Sequence, residues 1–194
     1  ESLITVFAHE LWHCLQVAEE SKTGAFKQPE WMSEGQATWV GANIDPDEPA
    51  PRLVVDWREE YFRSPRRHLF RRTYDAVGFY SQLATIGRDP YGFMLRMVSL
   101  DNVAAYTSAT DGWKAYRQTA ASSMFRSPDW GDGWESGGNA LPSAHLPRRF
   151  EAYVPPGRAV PAVKAEPYTN RLMEMIPRAD VIRVRTKGSV RMGD

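Results

Sequence analysis

The sequence predicts a mainly α chain, α+β in class, in which a helical region is followed by a small β-containing C-terminal segment. Three observations lead there. Of 194 residues, 42% are hydrophobic and 12% aromatic, with seven Trp, the composition of a chain that buries a core and not of a disordered one. Up to about residue 125, stretches free of Gly and Pro carry apolar residues at helical spacing. After Trp130 the pattern breaks: Gly131, Gly133, Gly137 and Gly138 crowd together, Pro142 and Pro147 follow, and a strand-like Phe150 to Val154 ends at Pro155-Pro156-Gly157. The length suits one domain or one domain with an appendage. The expected division is a helical region over residues 1–140 and a β-containing segment over 141–194.

Taken in order, Ser2 to about Glu20 lacks Gly and Pro and is apolar on most sides through Leu3, Ile4, Val6, Phe7, Leu11, Trp12, Leu15 and Val17. A helix apolar nearly all round is expected to be central and buried. Residues 21–30 read as a loop. Ser33, with Gln36 three residues on, reads as the N-cap of a second helix that runs to about Ala42. Residues 43–51 form an acidic, proline-rich surface loop. Further helices are expected at about 56–63, 73–86, 90–99 and 112–125, the third of these opened by Asp89-Pro90. Alternation of Ile182, Val184 and Thr186 with Arg183 and Arg185, then Lys187-Gly188 before Val190 and Met192, suggests a terminal hairpin.

Lys plus Arg and Asp plus Glu balance at 24 each, so no global charge points to nucleic acid or to an anionic membrane. One cysteine, Cys14, excludes an intramolecular disulfide and a Cys-rich structural zinc site. No apolar run is long enough to span a bilayer, and the first residues lack the basic start and cleavage site of a signal peptide.

His9-Glu10-Leu11-Trp12-His13 matches H-E-x-x-H inside a predicted helix, the context in which that motif has chemical meaning. At i and i+4 the two imidazoles project from one helical face and can meet one tetrahedral zinc ion. Glu10, one step round, stands near the ion without binding it, where it can take a proton from water activated by the metal and hand it to a leaving amine. A catalytic zinc takes a third protein ligand. Glu34, in Trp31-Met32-Ser33-Glu34-Gly35-Gln36-Ala37, is the expected one, because helix, loop and helix give the chain room to turn back. Gly35 would permit a close backbone approach, and Ala37 would leave room for the first helix.

His9-Glu10-Leu11-Trp12-His13-Cys14-Leu15-Gln16 followed by Glu34-Gly35-Gln36-Ala37 resembles the gluzincins, zinc metallopeptidases with H-E-x-x-H and a later E-x-x-A. Trp31 to Ala37 is also similar to the W-x-x-E-G-x-A segment of alanyl-aminopeptidase-like enzymes. The match rests on the stretch His9 to Ala37. The resemblance implies a zincin-like catalytic region, a hydrolase of peptide bonds, with His9, His13 and Glu34 as zinc ligands and Glu10 as base. It also implies a Tyr that steadies the oxyanion, Tyr74 as first choice and Tyr80 as second, and a location outside the cytoplasm or in the cell envelope. Peptidases of this kind have a sheet before the zinc helix that binds extended substrate. Nothing ahead of Glu1 supplies it, so a preceding segment or a partner chain is expected to complete the sheet. The G-x-M-E-N motif that holds a substrate's free amine is absent. The expected partner is a peptide or protein substrate. The alternative is a catalytically inactive, zinc-stabilised structural or binding domain of a larger protein.

Cys14 lies about 100° round the helix from His13 and is expected to pack in the core. His68 and His145 read as surface histidines, Thr38 equally as support for a ligand histidine or as a packing residue, and the run Arg63, Arg66, Arg67, Arg71, Arg72 as a solvated face.

Overall fold

The structure, a computed structural model, describes residues 3–24, 28–44, 52–64, 66–85, 88–110, 135–136, 139–140, 150–154, 168 and 173–177. The described chain is mainly helical. Its helices are α1 (Leu3–Thr23), α2 (Glu30–Asn43), α3 (Arg52–Arg63), α4 (Val77–Thr85), α5 (Tyr91–Met97) and α6 (Asn102–Thr110), with 3-10 turns at Leu69–Arg71 and Tyr74–Ala76. Four short strands follow. β1 (Glu135–Ser136) pairs antiparallel with β2 (Asn139–Ala140), and β3 (Phe150–Val154) pairs parallel with β4 (Met173–Pro177), Phe150 opposite Met173. β3 occupies the stretch that the sequence marks as strand. The expected helix at 112–125 and the terminal hairpin lie outside the described residues. Among those residues, no helix is long and apolar enough to cross a membrane.

The helix starts show where local signals were misread. α2 begins at Glu30, not at Ser33, because the carbonyl of Pro29 already accepts from Met32 and Ser33 at 2.9 and 3.1 Å, and Pro29 is extended at the cap position. Ser33 is therefore inside the helix, and Glu34 sits a full turn in. Asp89 caps the first turn of α5 by accepting from the Tyr91 amide at 3.0 Å. α6, which no expectation covered, starts the same way: Asp101 Oδ1 accepts from Val103 and Ala104, both at 2.9 Å.

The core lies around α2 and α4. Trp31, Met32, Val77, Phe79, Tyr80, Leu83, Met94 and Met97 are buried there. Trp31 is held in place by an indole N–H that donates to Asn102 Oδ1 at 2.6 Å. Two glycines of α2 set its distance from its neighbours. A Cβ on Gly41 would stand 2.8 Å from the carbonyl oxygen of Thr5, and one on Gly35 would stand 2.8 Å from Ala76 Cβ. So Gly41 brings α1 close, while Gly35 admits the turn that leads into α4.

The expectation that α1 is a central, buried helix is overturned. Only Ala8, Trp12 and Gln16 are buried on it, a single i, i+4, i+8 stripe against α2. Leu3 is 83% exposed and Phe7 67%, and Leu11, Leu15 and Val17 are exposed as well. Cys14 is also exposed, not packed in the core. Its face of α1 turns away from α2.

The arginine run is not wholly solvated either. Arg63, Arg66, Arg67 and Arg71 are exposed. Arg72 is buried, donating to Asp75 Oδ2 at 2.5 Å and to the Ser64 carbonyl at 2.6 Å, with its guanidinium over the Tyr61 ring. A different arginine poses an energetic problem. Val54, Arg58 and Tyr61 form the buried face of α3, and none of the three guanidinium nitrogens of Arg58 has a hydrogen-bond partner among the described residues. Burial brings its pKa down to about 10. An uncompensated buried charge destabilises. Arg58→Met, similar in volume and neutral, is expected to raise stability by roughly 1–4 kcal/mol, read as a higher midpoint in thermal or urea unfolding. A lower midpoint would show that Arg58 holds an anionic partner.

Candidate metal centre

The α-helical geometry of α1 sets His9 and His13 one turn apart, with ring centroids 4.8 Å apart and planes at 80°. α2 crosses beneath them at Gly41, whose absent side chain lets the backbone near His9 come close. About two turns back along α2, Glu34 reaches the same point. Its Oε2 lies 3.5 Å from His9 Nε2 and 3.5 Å from His13 Nε2, and the two Nε2 atoms are 3.1 Å apart. Among the described residues this is the group of His, Cys, Asp and Glu side chains that could hold a metal ion.

A hydrogen-bond chain fixes the state of His13. The indole of Trp12 can only donate, and it donates to Gln36 Oε1 at 3.3 Å. Gln36 Nε2 therefore faces the other way and donates to the Met94 carbonyl at 3.1 Å. Gln36 Oε1 also accepts from Gln16 Nε2 at 2.9 Å, which turns Gln16 Oε1 towards His13 Nδ1 at 2.8 Å. An amide oxygen only accepts, so Nδ1 carries the proton and Nε2 presents its lone pair to the centre. For His9, burial first and the neighbouring His13 second lower the pKa, against the opposing pull of Glu34 and Glu10. The neutral imidazole that a metal requires is thereby favoured.

These residues fit a divalent ion. Two imidazole nitrogens and a carboxylate oxygen converge, and Glu34 Oε2 is buried without a hydrogen-bond partner among the described residues. The three atoms lie close enough to share one ion, and a cation among them would engage all three at once. Donors about 2.0–2.1 Å from a tetrahedral ion stand about 3.3–3.4 Å from one another. The three observed separations bracket that value.

Glu10 is exposed on α1 beside this triangle, and its charge opposes the lowering of the His9 pKa and adds to the raising of that of Tyr74. Tyr74 stacks on His9, centroids 6.1 Å apart, and is backed by Trp57 at 4.5 Å. Burial and the carboxylates of Glu34, Glu10 and Glu30 raise its pKa, so its hydroxyl stays protonated. Tyr80 is not at the site. It is completely buried, its hydroxyl donates to the Trp31 carbonyl at 3.4 Å, and a core hydroxyl so engaged cannot serve an oxyanion. Thr38 is buried with no hydrogen-bond partner for Oγ1 among the described residues, so it supports no ligand histidine. His68 is half-buried, and its Nδ1 caps the turn at Leu69–Arg71 by accepting from Phe70. His145 lies outside the described residues.

Beside the triangle opens a pocket of about 280 Å³, lined by His13, Gln16, Val17, Glu20, Gln28, Ser33 and Glu34. Sequence reasoning named neither this pocket nor the Gln16–Gln36 pair. The available signal was a glutamine one turn beyond His13, at i+8 from Ala8 and i+4 from Trp12. No family model, no curated protein and no solved structure matches the chain. The geometry therefore carries the functional reading.

Gln16→Leu removes the acceptor that fixes the His13 tautomer while keeping bulk in the stripe. It is expected to weaken metal binding by roughly 10- to 100-fold, measured by competition with a chelator of known affinity. Unchanged affinity would mean that His13 needs no orienting partner.

Proposed function

We propose that the chain is a zinc-dependent metallopeptidase of gluzincin type, with His9, His13 and Glu34 as zinc ligands and Glu10 as general base. One observation carries this reading: Nε2 of both histidines and Oε2 of Glu34 meet at one point, with Glu10 next to them on the same helix. Two imidazoles and a carboxylate suit zinc among the common ions, since calcium and magnesium prefer all-oxygen sites.

Three protein donors among the described residues, with a pocket alongside, favour a catalytic centre over a structural one, because structural zinc sites are closed by four protein ligands. Bound there, zinc supplies Lewis acidity that brings the pKa of water down to about 7 and polarises the scissile carbonyl. Glu10 takes the proton released by the attacking water and returns it to the amine that leaves, which balances the hydrolysis. Tyr74, protonated and stacked on His9, donates a hydrogen bond to the developing oxyanion. Trp12, Gln36 and Gln16 act through His13, holding its proton on Nδ1.

The test is hydrolysis of a mixed peptide library by the purified chain, analysed by mass spectrometry. Cleavage is expected to stop on chelation and to return with added zinc. Cleavage that persists through chelation would contradict the reading.

A further inference from the structure

The pocket beside the metal centre carries a charge pattern that the hydrolytic reading does not use. His13 and Glu34 are corners of the donor triangle and also form one wall of the pocket. Successive residues of an extended peptide are about 3.8 Å apart, so a substrate carbonyl held at the triangle places a flanking residue at the pocket mouth.

The remaining walls offer acceptors. Gln28 is 5% exposed, and its Oε1 has no hydrogen-bond partner among the described residues. Glu20 accepts from the Gln28 amide at 3.1 Å through Oε1, which leaves its second oxygen and its negative charge to the pocket. Gln16 is fully committed: Oε1 faces His13, and Nε2 donates to Gln36 and to the Ser33 carbonyl. No Lys or Arg is among the described lining residues. The nearby Lys22 pairs with Glu19 at 3.1 Å. Val17, with its apolar side chain exposed, supplies the one greasy wall. A pocket of about 280 Å³ falls just below the range of about 300–1,000 Å³ that takes drug-sized ligands, and so suits a single side chain.

We propose that this pocket is a specificity subsite for a cationic N–H donor, the side chain of a Lys or Arg flanking the scissile bond, with Glu20 and Gln28 as its recognition residues. The inference rests on the peptidase reading for its placement beside the scissile bond. The alkyl stem lies along Val17, and the charged head donates to Glu20 and to Gln28 Oε1, giving a buried acceptor the donor that it lacks.

The test pairs Nα-acetyl-lysine methylamide with Nα-acetyl-norleucine methylamide, which differ only in the charged head. Binding to the full chain is measured by NMR titration, and kcat/KM on peptides carrying the same two residues is measured in parallel. Lys is expected to be favoured by about 10-fold or more in both. Glu20→Gln keeps an oxygen for the Gln28 amide and removes the charge. It is expected to abolish the preference while leaving hydrolysis of the norleucine peptide unchanged. Gln28→Leu reads the same preference should Glu20→Gln fail to fold. Equal binding of the two ligands by the wild type, or a preference that survives both substitutions, would overturn the proposal. Unacetylated norleucine methylamide binding as well as the lysine compound would uphold cation recognition, with the terminal amine as its source. Lys-selective binding without hydrolysis of any peptide removes the peptidase reading and keeps the pocket. Hydrolysis without Lys preference does the reverse.

Discussion

Glu10→Gln is expected to keep its zinc and lose about 10²- to 10⁴-fold in kcat, the range that a positioned general base contributes. Glu10 is not a corner of the donor triangle, so replacing its carboxylate by an amide of the same shape leaves the ligands intact. What disappears is the group proposed to accept a proton from water and return it to the leaving amine. KM is expected to change little, since the role proposed for Glu10 is on the reacting proton and not on the substrate's body. The measurement is steady-state kinetics beside metal analysis on the same preparation. A Glu10→Gln protein of wild-type activity would sink the mechanism.

His13→Ala is expected to lose both metal and activity. His13 is one of the three side chains proposed as ligands and is the one whose tautomer the buried network prepares. The loss of affinity should exceed the roughly 10- to 100-fold typical of removing an outer partner, because a ligand itself is gone. The substitution also strands Gln16 Oε1 without its donor, and a buried acceptor left unpaired costs about 1–3 kcal/mol. The variant is therefore expected to unfold at lower temperature even in chelator. Zinc bound at one equivalent with wild-type affinity would show that His13 is not a ligand.

The parts of this arrangement that depend on local periodicity could be read from the sequence, and the parts that depend on tertiary contact could not. The i, i+4 spacing of His9 and His13 needed only a helix, and the stretch to Glu20 is free of helix breakers. Glu34 as third donor needed only that α2 fold back on α1. The start of α2 was misjudged because Ser33 and Gln36 imitate a capping box, whereas the carbonyl of Pro29 closes the first turn. α6 was missed because Asp101 marks a short helix with little periodicity to announce it.

The burial of α1 was misjudged for a different reason. Apolar composition on all sides says that a helix can be covered, not which faces are. Among the described residues, the stripe of Ala8, Trp12 and Gln16 meets α2, while Leu3 and Phe7 stay exposed. Tyr74 and Tyr80 show the same limit at the site. Both lie near the start of α4, and only tertiary packing turns Tyr74 to His9 and Tyr80 into the core. The link from Trp12 through Gln36 and Gln16 to His13 crosses between helices, so no spacing rule reveals it.

The central claim is that three named side chains form one zinc site, and it is tested most directly by metal content. Inductively coupled plasma mass spectrometry on the wild-type chain, purified without chelators, is expected to give one equivalent of zinc, and the same preparation of Glu34→Ala to give much less. No metal in the wild type after incubation with zinc, or equal zinc in both proteins, would contradict it.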